Sequence, residues 1–269
     1  MVHNINLYLR LISVQIRSQM QYRASFMMEI AGTALTTLGE FASLALVFGR
    51  FESLGGWSIG QVGLLYGMAE LAFGLMDLVF SGFDPDTFGL RVRRGGFDQL
   101  LLRPVKIELQ ILGSQFLLRR FGRIFMGLAI LVYALQLTQI SWTPMKMILL
   151  VLAVFSQICF FGGLFMTGAT ITFWTIESIE VINIFTYGGS YMISHPMHIF
   201  PDLMRRFFTY ILPAIFLNYY PALYILDLPD PFGFPAWAPF LAPVAGLSVL
   251  LAAFAFWRYG LRHYQSTGT

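Results

Sequence analysis

The sequence predicts an all-α protein that crosses a membrane six times. Of its 269 residues, 57% are hydrophobic and only 12% are charged, whereas a soluble domain carries about 25% charged residues. The apolar residues form runs long enough for a helix to cross a hydrocarbon layer of about 30 Å. Lys and Arg gather between these runs, so the formal charge of +3 indicates membrane topology rather than a nucleic-acid partner.

The N-terminal segment predicts an amphipathic helix. Ile5, Leu9, Ile12, Ile16 and Met20 fall on one helical face, and polar and basic residues fall on another. Because polar residues interrupt the apolar ones, the segment does not resemble a cleavable signal peptide. We expect this helix to lie in the membrane interface.

Runs of roughly twenty apolar residues locate the membrane spans. The spans that are clear from the sequence cover about residues 25–48, 62–83, 124–140, 145–173 and 237–257. One further crossing is expected between residues 178 and 226, where glycines and prolines interrupt the pattern. No repeat or soluble domain is evident, so residues 1–269 are interpreted as a single transmembrane domain.

Basic residues predict the orientation. Of the 17 Lys and Arg residues, 13 lie in the N-terminal segment, in residues 84–123 or after Trp257. Lys and Arg accumulate on the cytoplasmic side of membrane proteins. Both termini are therefore expected in the cytoplasm, which requires an even number of crossings.

The loop between the second and third spans is strongly basic. Five basic residues lie within residues 91–106: Arg91, Arg93, Arg94, Arg103 and Lys106. Gly95 and Gly96 break the chain, Asp98 is a candidate helix cap, and Pro104 suits the first turn of a second helix. The pattern predicts two short helices that meet at a glycine hinge.

The same loop carries apolar residues that need a surface to bury against. Phe97, Leu100 and Leu101 would be costly to expose on a cytoplasmic loop. Two interpretations stay open at this point: they contact a partner protein, or they pack against the protein's own spans and the lipid headgroups.

Four carboxylates fall within predicted spans. Glu29 and Glu40 are eleven residues apart and Glu70 and Asp77 are seven apart, so each pair lies near one helical face. An ionisable group inside a membrane costs at least a few kcal/mol unless it is paired, protonated or faces a cavity. Glu40, Glu70 and Asp77 are therefore candidates for a substrate path or a partner contact, and buried structural hydrogen bonding is the alternative.

Motifs for enzymatic chemistry are absent from the sequence. It contains no GxxxxGK[ST] loop, no HExxH and no GxSxG, so we expect no catalytic residues and no ATP hydrolysis by this chain alone. Cys159 is the only cysteine, which excludes a disulfide within the chain. His195 and His198 are spaced like metal ligands on a helix, but Pro196 lies between them. We therefore expect no metal site.

Aromatic residues cluster beyond Arg206, in residues 207–224. Anchoring at the membrane interface is the usual role of such residues. An apolar path for an amphiphilic substrate is the alternative.

Three strings together carry a family resemblance. They are GGFDQLLLRP at residues 95–104, HPMHIFPDLMRRFFTYILPAIFLNYYPALYIL at residues 195–226 and WRYGLRHYQSTGT at residues 257–269. With them, the whole chain resembles the type-2 ATP-binding-cassette (ABC) exporter permeases, and in particular the six-span bacterial branch related to daunorubicin-type exporters.

The resemblance implies partners and a docking site. Two such permeases, identical or paralogous, pair in the bacterial inner membrane with two separate ATPase subunits, which bind the ATP, and move an amphiphilic or polymeric substrate outward. A short coupling helix at residues 97–102 would dock on the ATPase, and Arg103 and Pro104 would end it. The implied docking residues are Phe97, Asp98, Leu100, Leu101 and Arg103.

The resemblance also implies an outer re-entrant hairpin at residues 201–226, which would leave residues 178–198 as the fifth crossing. The charge rule alone favours a different placement, with Arg205 and Arg206 inside and residues 207–226 crossing. Pro213 and Pro221 favour the hairpin because each tends to break a helix. This chain has Asp227 where the family pattern has a glycine that closes the hairpin.

Two other functional classes stay open from the residues themselves. A secondary transporter driven by an ion gradient would use the span carboxylates as coupling sites and would work without ATP. An intramembrane enzyme or scaffold would need a catalytic constellation or a soluble domain, and the sequence shows neither.

Overall fold

The chain folds into helices joined by short loops. The computed structural model describes residues 2–175 and 180–266, and within these ranges the only extended pairing is an isolated bridge between Leu54 and Trp57. The predicted all-α fold class is therefore confirmed. In chain order the α-helices are α1 (Val2–Met20), α2 (Arg23–Arg50), α3 (Ile59–Phe80), α4 (Pro85–Arg93), α5 (Gly96–Leu101), α6 (Ile107–Leu112), α7 (Arg120–Leu137), α8 (Pro144–Thr175), α9 (Glu180–Asn183), α10 (Gly189–Ile193), α11 (Asp202–Arg206), α12 (Tyr219–Ile225) and α13 (Ala242–His263).

Five helical stretches of the described residues are long and apolar enough to cross a membrane. They are Arg23–Arg50, Ile59–Arg93, Arg120–Leu137, Pro144–Thr175 and Ala238–His263. Each contains most or all of one span that the sequence predicts clearly. The protein is thus a polytopic membrane protein, and its five long helices agree with five of the six predicted crossings.

Helix α3 lies at the centre of the bundle, between α7 and α8. It begins with a capping box in which the Ser58 side chain accepts from the Gln61 backbone N–H and the Gln61 side chain accepts from that of Ser58. Close contact with the antiparallel α7 depends on glycine. A Cβ on Gly67 would lie 2.7 Å from the backbone of Leu131, so only glycine lets the two helices approach this closely.

Helices α8 and α13 run parallel to each other. Gly246 near the start of α13 lies beside Ser156 in the first half of α8, and Gly260 lies beside Thr170 near the ends of both helices. Since α8 ends where α13 also ends, the intervening chain must return along the bundle once. The chain must therefore cross the bundle once more between the end of α8 and the start of α13. The even number of crossings that the sequence predicts requires the same extra crossing.

The contacts of residues 187–198 show where this return occurs. Tyr187 donates to Asp84, which caps α4 at the end of the bundle that carries the basic loop (the basic end). At the opposite end, His198 lies 2.7 Å from the carbonyl of Gly55, in the loop between α2 and α3. The returning segment is an interrupted helix, with one π-helical turn at Ile184–Gly188 between α9 and α10. The predicted residues 178 and 179 lie outside the described part.

Residues 207–226 form no continuous helix, which contradicts a crossing there. A π-helical turn at Phe207–Ile211 is followed by a 3-10 turn at Ala214–Phe216 and then by α12. Asn218 is fully buried and donates to the carbonyls of Leu65 (3.0 Å) and Ile193 (2.7 Å). These short pieces therefore enter the opposite end of the bundle and return, as the hairpin interpretation predicts.

Helix α1 confirms the predicted N-terminal helix and packs beside the basic loop. Gln15 donates to the carbonyl of Ser114, and Gln19 donates to that of Phe116 and accepts from the Leu118 backbone N–H. These bonds fasten α1 across the chain that joins α6 to α7.

Candidate functional site

Glu70 forms a two-point ion pair with Arg123 between α3 and α7. Arg123 Nε lies 2.7 Å from Glu70 Oε2, and Nη2 lies 2.8 Å from Oε1. The guanidinium also lies 4.3 Å from the centre of the Phe73 ring, which adds a cation–π contact. Glu70 is 5% exposed, so this predicted pathway residue has its charge balanced inside the protein.

Asp77 is paired in a similar way with Arg120, nearer the basic end. Asp77 Oδ2 lies 2.7 Å from Arg120 Nη1, and the Asp77 side chain is fully buried. Unlike the Glu70 pair, this is a single charge contact without hydrogen-bond geometry, and neither Asp77 oxygen has a hydrogen-bond partner among the described residues. The charge pattern of the sequence explains both arginines by membrane topology alone. Their three-residue spacing, which places them on one face of α7, is the signal that could have identified them as partners.

Glu40 differs from the other two predicted carboxylates because it is exposed at the surface of α2. Its Oε2 accepts from the Tyr66 hydroxyl at 3.0 Å, and no ion pair to it occurs among the described residues. The structure therefore separates the three candidates: Glu70 and Asp77 belong to buried ion pairs, and Glu40 faces outward.

Glu40 belongs to a polar stripe along α2. The stripe consists of Glu29, Thr33, Thr36, Glu40 and Ser43, whose spacings of three and four residues place them on one face. Only 11% of the most apolar stretch of α2 is buried inside the protein, so the other helices leave this face largely uncovered. The three hydroxyls donate to carbonyls of their own helix, but the carboxylates of Glu29 and Glu40 are costly against lipid. Another protein surface or water must therefore cover these two residues.

A cleft of about 560 Å³ opens beside this stripe. Its lining includes Glu29 and Thr36 of α2, Arg123 of α7, and Tyr187 and Tyr191 of the returning segment. The polar stripe, the Glu70–Arg123 ion pair and the interrupted helix thus meet at one cavity.

The predicted coupling helix exists as α5, but its start differs from the prediction. The helix begins at Gly96, and Gly95 before it adopts the left-handed conformation with φ of +67°. Glycine tolerates this conformation readily, which explains the break in the chain. Asp98 does not cap the helix, contrary to our expectation. It lies in the first turn and accepts from the Tyr264 hydroxyl (3.0 Å) and from Ser266 Oγ (2.6 Å).

Phe97 is fully buried inside the protein. Its ring packs between Phe173 of α8, Trp257 of α13 and Tyr264 of the tail, with centroid distances of 4.9 to 6.3 Å. Leu100 is also buried. Of the two interpretations of these apolar residues, packing against the protein's own helices is correct for this pair, and neither side chain offers a partner much surface.

The exposed part of the predicted docking site is therefore smaller than expected. Leu101 is 40% exposed, Leu102 is 85% exposed, and Arg103 is also exposed. Leu102 was not among the predicted docking residues, although the predicted coupling helix included it. We call Leu101, Leu102 and Arg103 the α5 patch.

The two histidines take part in ordinary hydrogen bonds. His198 joins Gly55 to the Tyr219 hydroxyl, with its Nδ1 3.1 Å from that oxygen, and His195 Nδ1 lies 2.9 Å from the Tyr191 carbonyl. Among residues 2–175 and 180–266, no three side chains of the His, Cys, Asp or Glu type are arranged to hold a metal ion.

Asp227 stands where a glycine was expected, and it adopts a glycine-like conformation with φ of +55°. Its carboxylate accepts from Lys146 Nζ at 2.6 Å and from Ser141 Oγ at 3.3 Å. The hydrogen bond from Lys146 lowers the pKa of Asp227. An ion pair to the start of α8 therefore fixes the end of the hairpin.

The long apolar helices, the interrupted return segment and the uncovered polar face of α2 define a membrane protein of the transporter class. The chain belongs to the ABC-2 family transporter proteins, because the model of that family matches residues 34–268. It is accordingly an ABC transporter permease. No curated protein and no solved structure matches the chain.

Proposed function

We propose that the protein is the membrane-spanning subunit of an ABC exporter that works with two separate ATPase subunits. The observation that carries this proposal is the α5 patch. Leu101, Leu102 and Arg103 lie at the end of α5 and just beyond it, and Phe97 in the first turn holds this helix to the core. A firmly supported apolar and basic patch is suited to dock a partner and to transmit its movement to α8 and α13.

ATP reaches the transporter through the partner in this proposal. We propose that the chain binds no cofactor directly and is not itself an enzyme, and the lack of a phosphate-binding loop in its sequence supports this. ATP hydrolysis in the docked subunits supplies the energy for export.

A second permease, identical or paralogous, would cover the polar stripe of α2. Glu29 and Glu40 lie on a membrane helix that is largely uncovered by its own chain. Pairing two copies along this face would keep both carboxylates away from lipid and place the cleft between the subunits.

We further propose that the basic end lies in the cytoplasm of a bacterium and that the protein resides in the inner membrane. The concentration of Arg and Lys in residues 84–123 supports this orientation. Both termini then lie in the cytoplasm, and the hairpin that contains Asn218 faces outward. The substrate, amphiphilic or polymeric, is moved towards the hairpin.

An ion-coupled secondary transporter is a weaker candidate. Such a protein needs carboxylates that gain and lose a proton or ion during transport. Glu70 and Asp77 are each held by an arginine, which leaves Glu40 as the exposed one of the three predicted carboxylates.

The test is to co-express the permease with each ABC ATPase of its source organism in turn and to purify any complex into lipid nanodiscs. We expect a complex with two copies of each subunit and ATP hydrolysis that depends on the permease. A permease that stays separate from the ATPase and transports with an ion gradient alone would support the ion-coupled alternative instead.

A further inference from the structure

Two cavities form one groove along the polar face of α2. The cleft beside Glu29 continues at Glu40 and Tyr191 into a second cavity of about 460 Å³, which reaches Leu54 beyond the end of α2. Glu40 and Tyr191 line both cavities. The groove therefore extends along most of α2, from near the basic end to the opposite end, and its junction lies at these two residues.

The charge at this junction is negative. Arg123 lies in the wall but is held by both oxygens of Glu70, and Arg119 lines only the cleft towards the basic end. Among the described residues, Glu40 is the only Asp, Glu, Lys or Arg that lines the second cavity. Within the same part of the chain, its carboxylate accepts one hydrogen bond, from Tyr66, and it can accept more.

Aromatic rings accompany this carboxylate. Tyr66 and Tyr191 both line the second cavity beside Glu40. A carboxylate with aromatic faces nearby attracts an organic cation by charge and by cation–π interaction. An anionic group would be repelled at the same position.

A third cavity adjoins the junction and is almost entirely apolar. It has a volume of about 510 Å³ and shares Tyr191 with the groove. Half of its lining residues come from the two π-helical turns, Ile184–Gly188 and Phe207–Ile211, and the others come from α10, α11 and Phe200. The rings of Phe185 and Phe207 stack at 5.7 Å. π-Helical turns occur frequently at functional sites.

We propose that this site binds an amphiphile with a cationic head, and that this is the substrate class of the transporter. Glu40 and Tyr191 bind the head, and the cavity beside Phe185 and Phe207 takes the apolar part. The inference rests on the proposed export function, because it identifies the groove as the substrate path. It narrows the proposed substrates to amphiphiles with a positive charge. Polymers and anionic lipids are then not expected to be substrates.

Binding to the purified permease in nanodiscs of neutral lipid tests this proposal without ATP or an ATPase. The probes are a dansyl-labelled alkyl trimethylammonium and an alkyl sulfonate with the same chain and label. We expect the cation to bind at least about tenfold more tightly, which corresponds to about 1.4 kcal/mol.

Two variants assign the preference to the site. Glu40→Gln should bring the affinities of the two probes to within about twofold of each other, whereas Phe207→Ala should weaken both probes by similar factors. The matched control is Glu52→Gln, which makes the same chemical change at an exposed position outside the groove and should leave the preference intact.

The comparison of the two probes on the unaltered protein needs no variant and so does not depend on the folding of one. Equal affinity for both probes, no saturable binding of the cation, or a preference that survives in Glu40→Gln would overturn the proposal. Failure of the exporter assignment would look different: the cation would still bind selectively, but the permease would neither associate with an ATPase nor stimulate it.

Discussion

Arg123 holds Glu70 through two parallel hydrogen bonds of 2.7 and 2.8 Å, inside the contact between α3 and α7. This relationship makes Glu70 part of the framework of the bundle. The groove along α2 has Glu40 at its centre and lies beside this ion pair.

The first prediction concerns this pair. Glu70→Gln leaves the guanidinium of Arg123 buried without its counter-charge, so the variant should lose about 3–5 kcal/mol of stability. Thermal unfolding of the purified permease in detergent measures the loss. Glu40→Gln is the matched control, because Glu40 is exposed and its hydrogen-bond partner in the described part of the chain is Tyr66. This variant should unfold close to the unaltered protein. If Glu70→Gln had the same melting temperature as Glu40→Gln and the unaltered protein, the buried pair would add nothing to stability.

The second prediction concerns Asp227 and Lys146. Asp227→Asn keeps a side chain that tolerates positive φ but removes the charge beside the buried Lys146. Asp227 is largely exposed, so water screens this pair, and Lys146 Nζ also donates to Ser141. The loss should therefore be about 1 kcal/mol, well below that of Glu70→Gln. Asp227→Gly relieves the backbone conformation and also removes the charge, so it should be the more stable of the two variants.

The pH dependence of the Asp227 effect has a definite sign. The pKa of Asp227 is lowered in the folded protein by the hydrogen bond from Lys146. The pair therefore stabilises the fold above the unfolded pKa of about 3.9, and this stabilisation is lost as the pH falls through the lower folded pKa. The difference in melting temperature between the unaltered protein and Asp227→Asn should be constant from pH 5 to 7 and should shrink at lower pH. A difference that grows with acid would exclude this pair as its source.

The third prediction concerns the hold of the C-terminal tail on α5. Tyr264→Phe keeps the ring beside Phe97 but removes the hydroxyl that donates to Asp98. The loss should be about 0.5–1.5 kcal/mol, and hydrogen exchange of residues 96–101 should speed up. Burial and the nearby Asp98 raise the pKa of Tyr264 to about 12, so the hydroxyl stays protonated throughout the neutral range. Unchanged exchange in α5 would mean that the tail does not hold the helix.

The fourth prediction tests the orientation. With Cys159 replaced by Ala, a single cysteine at Asp202 should react with a membrane-impermeant thiol reagent in intact cells, because the proposed orientation places the hairpin outside. A cysteine at Leu102 is the matched control and should react only after the membrane is opened. The reverse pattern would place the basic end outside.

The sequence predicted the five long helices because apolar runs between basic segments determine where a helix can cross. The sequence also indicated a break in the chain at Gly95, and the family pattern indicated a glycine conformation at the position of Asp227. Both residues have positive φ. Side-chain partners were harder to predict. Periodicity places Arg120 and Arg123 on one face of a helix, but it does not show that this face meets α3.

The same limit explains the docking helix. Phe97 and Leu101 belong to one short apolar segment, and from the sequence alone both are expected to be buried. Only the placement of α8 and α13 beside α5 shows that Phe97 lies in the core and that Leu101 remains at the surface.

Association of the permease with its ATPase through the α5 patch is the central claim, and a Leu102→Glu variant tests it most directly. The variant would place an unpaired charge in the docking interface, where burying it costs several kcal/mol. Leu102→Met keeps an apolar side chain of similar size and is the matched control. In nanodiscs with purified ATPase, we expect Leu102→Glu to weaken association at least about tenfold and to abolish permease-stimulated ATP hydrolysis, while Leu102→Met retains both. Unchanged association and stimulated hydrolysis in a correctly folded Leu102→Glu permease would contradict the account.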